Sequence, residues 1–168
     1  MNLYVVRHGE AVESGVALLD EWRWLTPRGR KQADVLAKRL HKRGLKTCLI
    51  VSSPLARALQ TAQIMAERLG RKCRLEVSGL LAPGVDREEL VELLHTRGGV
   101  ESLVLVGHDP QLGELIDLLL GQGSAIHLKK GACFALEFDP ADEGSAAFVS
   151  YTVPGRKTVT SLKKAGSL

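Results

Sequence analysis

The sequence predicts an α/β protein built on a mostly parallel sheet, and three short runs carry that prediction. Leu3-Tyr4-Val5-Val6, Leu49-Ile50-Val51 and Leu103-Val104-Leu105-Val106 are wholly apolar, and a helical pattern follows each. Continuous apolar runs of this length, alternating with amphipathic helices, read as parallel strands buried on both faces. Each run also stops at a small polar cluster. The first ends in Arg7-His8-Gly9, the second in Ser52-Ser53-Pro54 with Arg57 just beyond, the third in Gly107-His108-Asp109-Pro110. Open α/β sheets bind ligands at the carboxyl ends of their strands. Two histidines and two arginines, distant in sequence, are therefore expected in one crevice.

The elements follow in order. After the first strand, a loop over Glu10–Leu25 contains Trp22 and Trp24, expected as packing groups at the crevice rim. Thr26 is a natural N-cap with Pro27 at the first helical position. Ala33, Leu36, Ala37 and Leu40 then share one helix face, and Gly44 ends it. Pro54 is expected to open a second helix, striped by Leu55, Leu59, Ala62, Met65 and Ala66, with Arg57 in its first turn. Backbone N–H groups there already favour an anion. Cys73–Val77 reads as a third strand, and Asp86 with Glu89 as a capping-box-like start to a helix containing Leu90, Val91, Leu93 and Leu94. Asp109 is the expected N-cap of a helix near Pro110–Leu120. Cys133–Phe138 and Ala147–Val153 alternate enough to be two closing strands, joined by the turn-rich Asp139-Pro140 to Gly144-Ser145. The expected architecture is a three-layer sandwich, with a mixed but mostly parallel central sheet flanked by helices. Residues 1–155 form its single domain, and 156–168 a polar C-terminal segment prone to fraying.

Composition narrows the function classes. With 168 residues, 45% of them hydrophobic, the chain has enough material for one real core. A net charge of +4 is modest, and aromatics at 4% leave few stacking platforms for single-stranded nucleic acid, so none is expected as a partner. Cys48, Cys73 and Cys133 are too widely spaced for a disulfide framework or a metal motif, and suit buried thiols in a reducing cytosol. No secretory leader or membrane-length apolar stretch is visible, so a cytoplasmic protein with no membrane partner is expected. Walker-type and Gly-x-Ser-x-Gly motifs are absent, and Gly121-Gln122-Gly123 lacks the sequel of a dinucleotide fingerprint.

The polar clusters suit a phosphoryl group. Arg7 offers a charged planar fork matched to phosphate oxygens. Gly9 permits close approach of backbone or substrate. A neutral imidazole nitrogen of His8 can attack phosphorus and carry the phosphoryl group. Arg57 adds an anion contact, and His108 can donate a hydrogen bond to a developing equatorial oxygen. Two guanidiniums would repel a zinc ion, and no spacing completes four ligands, so neither metal nor cofactor is expected. His41, in the basic run Arg39–Arg43, reads as helix surface, and His95 and His127 show no recognisable partners but could line a rim.

Together these segments resemble the histidine phosphatase superfamily, the phosphoglycerate-mutase-like fold. The likeness covers nearly the whole chain: Leu3-Tyr4-Val5-Val6-Arg7-His8-Gly9-Glu10, Leu25-Thr26-Pro27-Arg28-Gly29, the stretch from Ser52 through Arg57 to Ala62, and Val106-Gly107-His108-Asp109-Pro110. The resemblance implies His8 as the phosphoryl-accepting nucleophile, with Arg7, Arg57 and His108 completing the phosphate pocket. The short chain looks like the SixA branch of phosphohistidine phosphatases, because it has no room for large helical caps. One departure is informative. Many family members place a catalytic Glu in a Leu-x-Glu segment, and the matching stretch here is Leu80-Leu81-Ala82. Ala82 stands where the acid would be, and Glu10 is the first alternative, ahead of Asp20 and Glu21. An alkoxide leaving group needs a proton in the transition state, whereas a leaving imidazole is a much weaker base.

The expected activity is therefore removal of phosphate from phosphohistidine in a signalling or phosphotransfer protein, by a monomeric, metal-independent enzyme. The alternatives are a phosphomonoesterase of small phosphorylated metabolites and a non-catalytic phosphate-binding adaptor.

Overall fold

The computed structural model of the chain describes residues 1–15, 19–121, 126–141 and 146–167. Its six strands are β1 (Asn2–Arg7), β2 (Cys48–Ser52), β3 (Cys73–Val77), β4 (Ser102–Gly107), β5 (Cys133–Phe138) and β6 (Ala146–Thr152). They form one sheet in the order β3-β2-β4-β1-β5-β6. The first four are mutually parallel, while β5 runs antiparallel to β1 and β6 antiparallel to β5. The predicted mixed, mostly parallel sheet is the one observed.

Alternation along the central strands builds two cores. Leu3, Val5, Leu49, Val51, Leu103 and Leu105 face one side, packed with Leu90, Leu94, Leu112 and Ile116. Val6, Ile50, Val104 and Val106 face the other, packed with Leu36, Leu40, Ala58, Ala62 and Met65. The helices α1 (Pro27–Lys42) and α2 (Ala56–Leu69) thus cover one face of the sheet, and α3 (Arg87–Thr96) and α4 (Gln111–Leu120) the other. Because every central strand is buried on both faces, these strands show no polar alternation in sequence.

Several boundaries follow local chemistry that composition alone does not reveal. Thr26 caps α1 as expected, its hydroxyl accepting from the Gly29 N–H at 3.0 Å. In contrast, α2 starts at Ala56 rather than Pro54, because Leu55 is extended and donates its N–H to the Ser53 hydroxyl at 3.3 Å. Asp86 precedes α3 but makes no capping bond, so the capping box does not close. Asp109 does not cap α4 either. Its carboxylate is drawn to the Leu128 N–H at 3.2 Å and to Arg7 at 3.7 Å, and Pro110 takes the cap position.

The C-terminal segment is tied down rather than frayed. Val159 exchanges backbone hydrogen bonds with Tyr151, and the short α5 (Leu162–Ala165) buries Ala165. Cys48, Cys73 and Cys133 are buried free thiols. Gln122, Gly123 and positions 142–145 of the expected closing turn lie outside the described residues. No helix among the described residues is long and apolar enough to cross a membrane.

Candidate active site

The carboxyl ends of β1, β2 and β4 lie side by side, since Arg7 is in register with Gly107 and Ser52 with Val106. That register delivers His8, Ser53 and His108 to one place, and α2 brings Arg57. His8 and His108 are buried, with ring centroids 5.2 Å apart. The Arg57 side chain is also buried, and its Nε–H points at His8 Nε2 from 3.3 Å.

The His8 loop is fixed by backbone. Gly9 lies so close to α1 that a Cβ there would meet the Gly29 carbonyl oxygen at 2.6 Å. The close approach anticipated at Gly9 is therefore made by backbone, not shown as a substrate contact. The Gly9 N–H donates to the Thr61 hydroxyl at 3.1 Å, and that hydroxyl donates to the Arg57 carbonyl at 2.8 Å. Thr61 couples the His8 loop to the first turn of α2. It stands one helical turn after Arg57, a spacing legible in the sequence once Arg57 is placed on a helix.

The protonation of His8 follows from its partners. Nδ1 lies 2.6 Å from the Gly9 carbonyl, which can only accept, so Nδ1 carries the proton. Nε2 then keeps its lone pair, the state the Arg57 Nε–H donor also requires. Burial lowers the His8 pKa to about 3, and the cationic neighbours Arg57 and Arg7 add to it. His108 is lowered to about 4, by burial first and then Arg57. Its Nε2 lies 2.8 Å from the Ser53 hydroxyl. Ser53 was part of a sequence motif but had no assigned contact until the fold placed it here.

This burial makes folding pH-dependent. Unfolded histidines titrate near 6.5, so between that pH and roughly 3–4 the unfolded chain binds more protons than the folded one. Stability consequently rises with pH across this window and is lost as pH falls below 6.5. The loss is roughly 2 kcal/mol per ring at about pH 5. Thermal melts at pH 7.5 and 5 are expected to differ more for the wild type than for His8→Asn/His108→Asn. An equal difference would contradict the buried, neutral pair.

The two arginines are held differently. Arg57 donates through Nη1 to the Asp20 carbonyl at 2.7 Å and through Nη2 to the Asp20 carboxylate at 2.9 Å. Asp20 opens a 3-10 turn, Asp20–Trp22, within the expected loop over Glu10–Leu25. Its carboxyl pKa is lowered, by Arg23 first and Arg57 next, so it is ionised at neutral pH. Arg7 donates to the Leu128 carbonyl at 2.6 Å, while its buried Nε has no partner among the described residues.

Glu10 is engaged away from the histidines. Its carboxylate accepts from the Thr26 hydroxyl at 2.9 Å and pairs with Arg28 at 3.4 Å, at the start of α1. Ala82 follows a second 3-10 turn, Gly79–Leu81, which packs beside the end of β4: the Leu81 carbonyl oxygen would lie 3.5 Å from a Cβ on Gly107. Gln111 holds this loop by donating to the Val85 carbonyl at 2.9 Å and the Leu80 carbonyl at 3.3 Å. Nothing in the sequence pointed to Gln111. Among the described residues no three His, Cys, Asp or Glu side chains are grouped as a metal site. Trp22 and Trp24, expected to pack at the rim, are instead exposed to solvent.

Comparison with known proteins decides the family. Residues 3–80 match the model of the histidine phosphatase superfamily, branch 1. An uncharacterized protein of Picosynechococcus sp. is 37% identical over 140 residues, covering 81% of this chain and 84% of the relative. The chain belongs to the histidine phosphatase superfamily. A structure of the protein histidine phosphatase SixA complexed with tungstate superposes with a TM-score of 0.83 at 24% identity, covering 92% of this chain and 97% of that one. Mycobacterial glucosyl-3-phosphoglycerate phosphatase superposes with a TM-score of 0.63 at 23% identity, over 88% and 96%. At these identities the two structures share the fold with this superfamily member, which is the phosphoglycerate-mutase-like arrangement expected from its motifs.

Proposed function

We propose that the protein is a metal-independent phosphatase that removes phosphate from phosphohistidine in a signalling or phosphotransfer protein, by way of a phosphorylated His8. The observation that carries this reading is the state of His8: Nδ1–H is committed to the Gly9 carbonyl, and the Nε2 lone pair lies 3.3 Å from the Arg57 Nε–H. A buried imidazole held in that tautomer is a prepared nucleophile. Nε2 attacks phosphorus while the bond from phosphorus to the substrate imidazole breaks, and the departing ring takes its proton from solvent water. Water then attacks the phosphoryl group on His8, releasing phosphate and restoring Nε2. Arg7, Arg57 and His108 surround the charge that develops, and Arg7 Nε supplies a donor still without an acceptor.

The choice of phosphohistidine over a phosphomonoester rests on Ala82 and on the carboxylates nearby. Asp20 is ion-paired with Arg23 and Arg57, which lower its pKa, and the Glu10 carboxylate is engaged by the Thr26 hydroxyl and Arg28 at the start of α1. Neither is prepared to protonate an alkoxide. SixA, with a TM-score of 0.83, is a protein histidine phosphatase, while the mycobacterial relative, at 0.63, is a glucosyl-3-phosphoglycerate phosphatase. Initial rates on a phosphohistidine peptide, on alkyl phosphates and on aryl phosphates test the reading. Faster turnover of an alkyl phosphate than of phosphohistidine would overturn it, and a phosphate-binding adaptor would show no phosphoryl-enzyme at all.

Chelation gives a further expectation. With guanidiniums as the charge stabilisers, protein treated with a metal chelator should keep full activity on any substrate it accepts. Activity lost on chelation and restored by one divalent ion would refute the metal-independent mechanism.

A further inference from the structure

Trp22 and Trp24 are the only tryptophans of the chain, and they stand 64% and 51% exposed. Their exposure is built by the backbone they occupy. The intervening Arg23 turns inward, its Nε donating to the Val12 carbonyl at 2.7 Å and its Nη1 to the Asp20 carboxylate at 2.9 Å. Leu25 is buried, with its N–H on the Gln60 side-chain oxygen at 2.8 Å. The Val12 N–H donates to the Trp24 carbonyl at 2.9 Å. Trp22 closes the 3-10 turn and Trp24 follows Arg23, so the two indoles flank the inward-held Arg23. Anchoring Arg23 and Leu25 inward therefore presents both indoles to solvent on a fixed ledge.

The ledge borders the site. Asp20, in the same 3-10 turn as Trp22, holds Arg57, whose Nε reaches His8. On the other side of the His8 loop, Arg28 pairs with Glu10 and opens a cleft of about 420 Å³ lined by Arg28, Lys31, Gln32, Val35, Arg39 and Pro154. Among the described residues its lining holds three cations, of which Arg28 is paired with Glu10, and no carboxylate of its own. Glu21 remains exposed on the ledge itself, so the ledge suits apolar contact and the cleft suits acidic contact.

We propose that the Trp22–Trp24 ledge and the cationic cleft beside α1 are the docking surface for the protein that carries the phosphohistidine. The occupant presents an apolar side chain to the indoles and acidic side chains to Arg28, Lys31 and Arg39. This rests on the phosphohistidine reading given above. A small phosphorylated metabolite has no use for this surface, because its phosphoryl group is met by His8 and the arginines within the pocket. Exposed tryptophans are the residue type that most often dominates binding at protein interfaces.

The test uses two synthetic peptides with a central non-hydrolysable phosphohistidine analogue, phosphoryl-triazolylalanine. One has Leu and Asp/Glu flanks, the other Gly/Ser flanks. The acidic, apolar peptide is expected to bind about tenfold tighter by calorimetry and to shift tryptophan emission, which reports only on the ledge. In Trp22→Ala/Trp24→Ala that preference should fall to about twofold or less, while turnover of imidazole phosphate stays within about twofold of wild type. Equal affinity of the two peptides for the wild type overturns the proposal. So does a preference that survives in the double variant, or a loss of imidazole phosphate turnover that matches the loss of peptide affinity. An adenosine monophosphate probe that shifts the emission as strongly as the peptide assigns the ledge to a small aromatic ligand, and also overturns it. Failure of the wild type to hydrolyse imidazole phosphate is a separate result, which overturns the phosphohistidine reading itself.

Discussion

Replacing His8 with alanine is expected to remove the phosphoryl-enzyme and reduce turnover to background, whereas His108→Ala should keep a phosphoryl-enzyme that forms about 10²–10³ more slowly. The contrast follows from what each ring can do in its place. His8 keeps a lone pair at Nε2, where the Arg57 Nε–H meets it, with its proton fixed on Nδ1 by the Gly9 carbonyl. No other side chain at the end of β1 can replace it. His108 is bonded through Nε2 to the Ser53 hydroxyl at 2.8 Å, and its ring centroid lies 5.2 Å from that of His8. In that position it contributes one contact to the charge that develops in the transition state, and one such contact is worth a few kcal/mol. Rapid-quench labelling with a radioactive phosphoryl donor separates the two roles. Label on His108, or a labelled His8→Ala protein, would reverse the assignment. Each variant removes a buried ring and its hydrogen bonds, so its fold is checked by a thermal melt at pH 7.5 before the kinetics are compared.

The same residues show how far the sequence could be read. The strands were legible because parallel, doubly covered strands leave uninterrupted apolar runs, and three such runs ended at the polar clusters that meet at the sheet's carboxyl edge. The partners that tune the site were not legible. Asp20 lies 37 positions from Arg57, and Ser53 lies 55 from His108, so each pairing depends on how the chain folds back. Asp109 misled for a related reason. An Asp before a helical pattern is an ordinary N-cap, but here the Leu128 N–H and Arg7 compete for its carboxylate across the sheet edge and win. The tryptophans misled because composition favours burying them. Only the inward anchoring of Arg23 and Leu25 reveals that their side of the segment faces out. Repulsion by the two arginines contributes to the low His8 pKa. Burial is the larger cause, and exposure cannot be read from neighbours in sequence.

Substrate choice should change most when Ala82 is altered. The wild type is expected to hydrolyse a phosphoramidate far faster than an alkyl phosphate, with a nitrophenyl ester between them, because the three leaving groups differ in their need for a proton. Ala82 brings no acid to the end of β4, and the surrounding carboxylates are ion-paired: Glu10 with Arg28 at 3.4 Å, Asp20 with Arg57 at 2.9 Å. Ala82→Glu should therefore raise alkyl phosphatase activity by about 10–10³, within the range a positioned general acid supplies, and leave phosphoramidate turnover nearly unchanged. The new carboxyl stands on the loop that Gln111 holds through the Leu80 and Val85 carbonyls, so it is added to a braced segment. The pH profile provides an independent arm. His8 becomes protonated only near pH 3, so phosphoramidate turnover in the wild type should persist well below pH 6.5, down to the acid limit set by folding. In Ala82→Glu, alkyl phosphatase activity should instead fall on the alkaline side as the added carboxyl ionises. A wild type that already cleaves alkyl phosphates as fast as phosphohistidine would mean that another residue supplies the proton. Glu10→Gln is then the decisive variant, since it removes the carboxyl proton and must abolish that activity if Glu10 is the acid.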